Sequence, residues 1–94
     1  MKVAVRYMAQ LRHAAGVAGE EVELEAPCRA HELVARLARG HGAPLRELLL
    51  DGQGRVQPTI LVFVGDEQVR AGQDVTLRAG DVVTLLSPVA GGSA

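Results

Sequence analysis

Few side chains in this sequence are suited to chemistry, and they are scattered. His13, His31, His41 and the single Cys28 are the candidate ligands or nucleophiles. The histidines lack metal-ligand spacing and have no carboxylate partner in a recognisable motif. Cys28 falls at an expected helix start, where the helix dipole would lower a thiol pKa. It still reads as a helix-capping or partly buried thiol rather than a nucleophile. One cysteine excludes an intramolecular disulfide and any cysteine-rich metal site. The remaining candidate is the end of the chain, Ser87-Pro88-Val89-Ala90-Gly91-Gly92-Ser93-Ala94, which carries neither a charged nor an aromatic side chain. Such a stretch offers its main chain and fits a narrow channel. Pro88 fixes its own φ and biases Ser87 toward an extended conformation, while Gly91 and Gly92 add no bulk. Extended, Ser87 to Gly92 spans roughly 20 Å. The same small residues also make up frayed chain ends, and composition alone does not separate the two readings.

The elements that would position this tail belong to one small domain. Ninety-four residues suffice for a single core without metal or disulfide support. The chain is 48% hydrophobic but only 2% aromatic, so Val, Leu, Ile and Ala must fill that core and base stacking is not expected. A formal net charge of -1 argues against a nucleic-acid or anionic-membrane partner. Lys2 is the one lysine beside nine arginines, a bias read as genomic base composition. No run approaches the roughly 18 apolar residues of a membrane span, and Met1 to Arg6 lacks the apolar core of a signal peptide. A cytoplasmic setting is expected.

Val3, Val5 and Tyr7 alternate with Lys2, Ala4, Arg6 and Met8, which predicts a strand over 2–8. Residues 9–16 suit a short helical turn ending at Gly16, with the chain reversing near Gly19. Glu21 to Glu25 alternates again, with Val22 and Leu24 inward and three carboxylates solvated. Ala26-Pro27 breaks this strand. Ala30, Leu33, Val34 and Leu37 then fall on one stripe of a helix expected from about Cys28 to Arg39. Pro44 to Asp51 reads as a second short helical turn. Thr59 to Val64 is apolar on both parities and suits a central strand. A turn at Gly65-Asp66 leads to a short strand over 67–69. Turns at Gly72-Gln73-Asp74 and Ala79-Gly80-Asp81 frame Val75 to Arg78 before a last strand over 82–86, and Asp66 and Asp81 take turn roles.

Strand, strand, helix, strand, short strand, strand is the order of an α+β, ubiquitin-like β-grasp fold. The expectation is a mixed sheet of four to five strands, the first and last parallel at its centre, with one main helix across one face. A ferredoxin-like arrangement would need a second full helix, for which only 44–51 is available. Residues 1–86 form the domain and 87–94 a flexible tail.

Three stretches carry a resemblance. Arg6-Tyr7-Met8-Ala9-Gln10-Leu11-Arg12, Leu77-Arg78-Ala79-Gly80-Asp81-Val82-Val83 and Ser87-Pro88-Val89-Ala90-Gly91-Gly92 together resemble the MoaD/ThiS sulfur-carrier family over nearly the whole domain. Chain length and the extra 44–57 region are most similar to the molybdopterin synthase small subunit. The resemblance implies a carrier, not an enzyme, with no stably bound cofactor. A partner of the ubiquitin-activating type uses ATP to adenylate the terminal glycine, and sulfur transfer then gives a thiocarboxylate for a sulfur-acceptor enzyme. An activated carboxylate hydrolyses unless water is kept out, so a side-chain-free Gly91-Gly92 in a narrow, dry channel fits this chemistry.

The sequence departs from that pattern after Gly92, which Ser93-Ala94 would leave as an internal amide. By resemblance, cleavage between Gly92 and Ser93 by a JAMM-class metallopeptidase is expected, with Pro88, Val89, Ala90 and Gly91 serving as the inserted arm. A ubiquitin-like modifier or binding module that transfers no sulfur is the alternative. Strand parity places Met8 and Leu86 on the sheet face away from the helix, where an apolar patch needs a partner. Phe63 belongs either to that docking surface or to the core. Arg6 and Arg12 are candidates for partner salt bridges or for ordinary solvated positions.

Overall fold

The computed structural model describes residues 1–70 and 72–87. The expected tail positions Pro88, Val89, Ala90, Gly91, Gly92 and Ser93 lie outside the described residues. Eight elements follow in chain order: β1 (Lys2–Met8), α1 (Gln10–Ala15), β2 (Gly19–Glu23), α2 (Ala30–His41), α3 (Leu45–Leu49), β3 (Leu61–Val64), β4 (Glu67–Val69) and β5 (Val82–Leu86). They build one mixed sheet in the order β2-β1-β5-β3-β4. β1 and β5 are parallel neighbours at its centre, and every other pairing is antiparallel. This is the α+β, ubiquitin-like β-grasp arrangement that the element order implies.

The alternation along β1 and β5 decides which side of the sheet is covered. Val3, Val5 and Tyr7 point to one face, joined by Val83 and Leu85 of β5 and Val62 of β3, and all six are buried. Onto them α2 lowers Ala30, Leu33, Val34 and Leu37, the stripe its periodicity predicts, and also Ala38. Leu11 of α1 and Leu45 and Leu49 of α3 extend the core.

Three elements, β2, α2 and β3, have bounds that differ from the expected ones. β2 runs over 19–23 rather than 21–25. Gly19 already pairs with Arg6, and a Cβ there would sit 2.6 Å from the Val5 carbonyl oxygen, so this glycine belongs to the ladder and the reversal lies before it. The other end stops because β1 runs out of partners: Leu24 N–H donates to the carbonyl of Met1 at 2.7 Å. The main helix begins at Ala30 rather than Cys28 because Cys28 and Arg29 bond instead to the 75–77 segment. Leu77 N–H donates to the Cys28 carbonyl, Ala30 N–H donates to the Val75 carbonyl, and Arg29 bridges Thr76. Glu32 accepts from the Arg29 N–H at 2.8 Å and closes the helix start. At the other end Gly40 stays helical and Gly42, at φ 74°, ends α2. β3 starts at Leu61 because Ile60 N–H is held in a turn to the Gln57 carbonyl.

Candidate functional site

The face of the sheet turned away from α2 has no covering element among the described residues. Its register places Leu61, Leu86 and Met8 in one row across β3, β5 and β1, with Phe63, Thr84 and Arg6 in the next. Neighbouring strands lie about 4.8 Å apart, so each row is a continuous strip of side chains. Met8 is 43% exposed and Val82, one row beyond Thr84, is 37% exposed. Leu61, Phe63 and Leu86 are half-buried. Met8, Leu61, Leu86 and Phe63 therefore share the end of the sheet at which β5 hands over to Ser87, while Val82 lies at the start of β5.

The structure thus brings Met8, Phe63 and Leu86 together. Phe63, open between two readings in the sequence, points to the uncovered face because Val62 takes the core position beside Leu85. Leu61 and Val82 are additions that sequence reasoning missed. Their signal was cross-strand register: Leu61 sits opposite Leu86, and Val82 opposite Ala4. Charge collects at the other side of the same face, where Lys2 pairs with Glu23 and Ala4 with Glu21. Arg6 and Arg12 are exposed and make no ion pair among the described residues. Next to Met8, Ala9 holds φ 52°, a conformation that side chains rarely adopt. This residue turns the chain from β1 into α1 at the edge of the apolar end.

Two of the three histidines, His41 and His31, have partners that sequence spacing hid. Tyr7 hydroxyl donates to Glu20 Oε2 at 2.6 Å, and His41 Nε2 donates to the same oxygen at 2.6 Å. The two rings meet edge to face. This cluster ties the C-terminal end of α2 to the β1–β2 edge. Burial raises the Tyr7 hydroxyl pKa, and the hydrogen bond and charge of Glu20 add to that rise. Burial alone would also raise Glu20, but the Tyr7 and His41 hydrogen bonds and the His41 charge outweigh it and hold the carboxyl below its usual range. His31 Nδ1 lies 3.1 Å from Asp74, whose carboxylate also accepts from the His31 backbone N–H. Among the described residues no three His, Cys, Asp or Glu side chains gather in a way that could hold a metal ion.

Cys28 departs from the expectation of a lowered thiol pKa. The residue precedes the helix by two positions and is buried, and burial pushes the thiol up while Arg36 pulls weakly the other way. It packs as a small apolar side chain in the core.

The open face presents an apolar strip and, among the described residues, no grouping of acid, base and nucleophile. Comparisons with known proteins give the family. The ThiS family profile matches residues 5–92. Among solved structures, the small archaeal modifier protein SAMP1 of Haloferax volcanii superposes with a TM-score of 0.84 at 24% identity, over 98% of this chain and 100% of that one. A putative molybdopterin converting factor subunit 1 of Pyrococcus furiosus gives 0.73 at 29% identity, over 95% and 99%. The BexX/CysO complex of Amycolatopsis orientalis gives 0.67 at 28%, over 96% and 99%. No curated protein matches by sequence. No helix among the described residues is long and apolar enough to cross a membrane. The open apolar face, the β-grasp topology and a family match that reaches Gly92 lead to one statement: the chain belongs to the ThiS family of small, ubiquitin-like sulfur carriers, which are not themselves catalysts.

Proposed function

We propose that the protein carries sulfur on the main-chain carboxyl of Gly92, once the residues after Gly92, here Ser93-Ala94, have been removed by a peptidase, for which the JAMM metallopeptidase class is the candidate. A partner of the ubiquitin-activating type, using ATP, forms the acyl-adenylate of Gly92. A sulfur donor then displaces AMP to leave a thiocarboxylate, which a biosynthetic acceptor enzyme consumes, of the molybdopterin type or of an amino-acid or other sulfur pathway. The chain supplies no acid, base or bound cofactor to these steps. Its work is to dock and to deliver, in the cytoplasm.

The observation that carries this reading is the position of the open face. Met8, Leu61, Leu86 and Phe63 form an apolar strip at the strand end that leads into Ser87. A partner that covers this strip therefore stands where Pro88, Val89, Ala90 and Gly91 begin. Burying apolar area at about 25 cal/mol per Å² favours docking on this strip over the charged Lys2–Glu23 side. Mass spectrometry of the protein from its native cell tests the chemistry. The expected result is a chain ending at Gly92, part of it with the mass increase of sulfur replacing oxygen. A population in which the residues after Gly92 always remain would overturn the proposal.

A second reading draws on the likeness to the modifier protein of Haloferax volcanii: the adenylated Gly92 is passed to an amine instead of a sulfur donor. Both readings share the adenylate and part only at its acceptor. Isopeptide-linked target proteins in place of the thiocarboxylate would favour the second.

A further inference from the structure

Activating a carboxylate on a carrier exposes the carrier's own amines to acylation, and this chain has almost none. Its cationic surface is built from nine arginines, whose guanidinium groups stay protonated and do not act as nucleophiles. Two amines remain, the α-amine of Met1 and Nζ of Lys2. The α-amine is held in place: it donates to Glu23 Oε2 at 2.9 Å and to the Leu24 carbonyl at 2.8 Å, and Met1 is mostly covered. Lys2 is exposed. Its cross-strand neighbour is Glu23, whose Oε2 already accepts from Met1.

Position adds a second argument. Lys2 begins β1, and Met8, beside the start of the tail, ends it, so six residues at about 3.3 Å each separate Lys2 from the apolar end of the open face. A group attached at Lys2 leaves Met8, Leu86 and Ser87 uncovered. An acceptor copy joined there keeps both its docking strip and its own outgoing tail.

We infer that Lys2 is the acceptor amine of this domain, the site at which the adenylated Gly92 of a second copy is joined in an isopeptide bond. This rests on the activated Gly92 proposed above. Neutral Lys2 Nζ attacks the glycyl carbonyl of the acyl-adenylate. The N–C bond forms, the bond from the carbonyl carbon to the phosphate oxygen breaks, AMP leaves and the amine proton passes to solvent. The adenylating partner and ATP supply the activation, and nothing is oxidised or reduced.

The test uses the full chain and its Lys2→Arg variant, each produced in the native cell and digested with trypsin. Cleavage after Arg6 and Arg78 is expected to yield a branched peptide in which residues 1–6 carry residues 79–92 on Lys2. With Lys2→Arg the two-copy species should disappear, while chains ending at Gly92 persist at the parent level. Two-copy species joined at the Met1 α-amine would overturn the inference. So would chains with a free or sulfur-bearing Gly92 and no branch at Lys2, and that result leaves the carrier reading standing. Chains that all retain the residues after Gly92 defeat the carrier reading and this inference together.

Discussion

The two faces of the sheet are built from the same kinds of residue and end in opposite states. On the covered face Val3, Val5, Tyr7, Val62, Val83 and Leu85 are shut beneath α2. On the open face Met8, Leu61, Phe63, Val82 and Leu86 are as apolar, and α2 does not reach them. The first set has already gained its burial free energy in folding. The second leaves that gain unrealised, and the proposed docking of a partner on this face draws on it, since contiguous apolar surface marks an interaction site. A carrier needs this separation, because its fold must stay intact while the docked partner changes.

The largest effect expected is on the covered face. Leu33 of α2 is fully buried, and Leu33→Ala should cost about 2–5 kcal/mol through lost burial and a residual cavity. Urea unfolding measures this as a lower midpoint at unchanged slope. Met8→Asp should separate the faces most sharply. At this exposed site stability stays within about 0.5 kcal/mol of the parent. Affinity for the adenylating partner, followed by calorimetry, should fall by tenfold or more, about 1.4 kcal/mol. An unchanged affinity would move docking off the open face.

The smallest effect lies where the covered face meets the edge of β2. Glu20 is held below its ordinary carboxyl value of 4.5, so its contribution is present above that value and is lost as pH falls through the folded-state pKa. Glu20→Gln should therefore be less stable than the parent by about 1 kcal/mol near neutral pH. The difference should vanish in acid. Denaturant midpoints across the acid limb give the comparison, and a gap that widens as pH falls would contradict the sign.

Much of this architecture was legible before any coordinates. β1, β4 and β5 have the bounds their patterns predict, and the Ala30-Leu33-Val34-Leu37 stripe is the buried side of α2. What the sequence hid depends on contacts between distant residues. The Glu21–Glu25 alternation has the same parity as the observed β2, so it gave the facing of Val22 and Leu24 but not where Met1 would end the ladder. Cys28 and Arg29 leave the helix for a segment about 48 residues later. Leu61 and Val82 join the open face only once three strands are in register. His41 meets Glu20 across 21 residues, a separation no local motif encodes.

The parallel β1–β5 pair has a mechanical consequence. β5 leads directly into the tail and is hydrogen-bonded along both edges, to β1 on one side and β3 on the other. Under the proposed function, a partner that draws the residues after Ser87 into a channel pulls on the end of β5. That force loads the hydrogen bonds of both ladders together, in shear, instead of peeling them apart one by one. A partner can therefore pull on the tail while the strand that anchors it stays in the sheet.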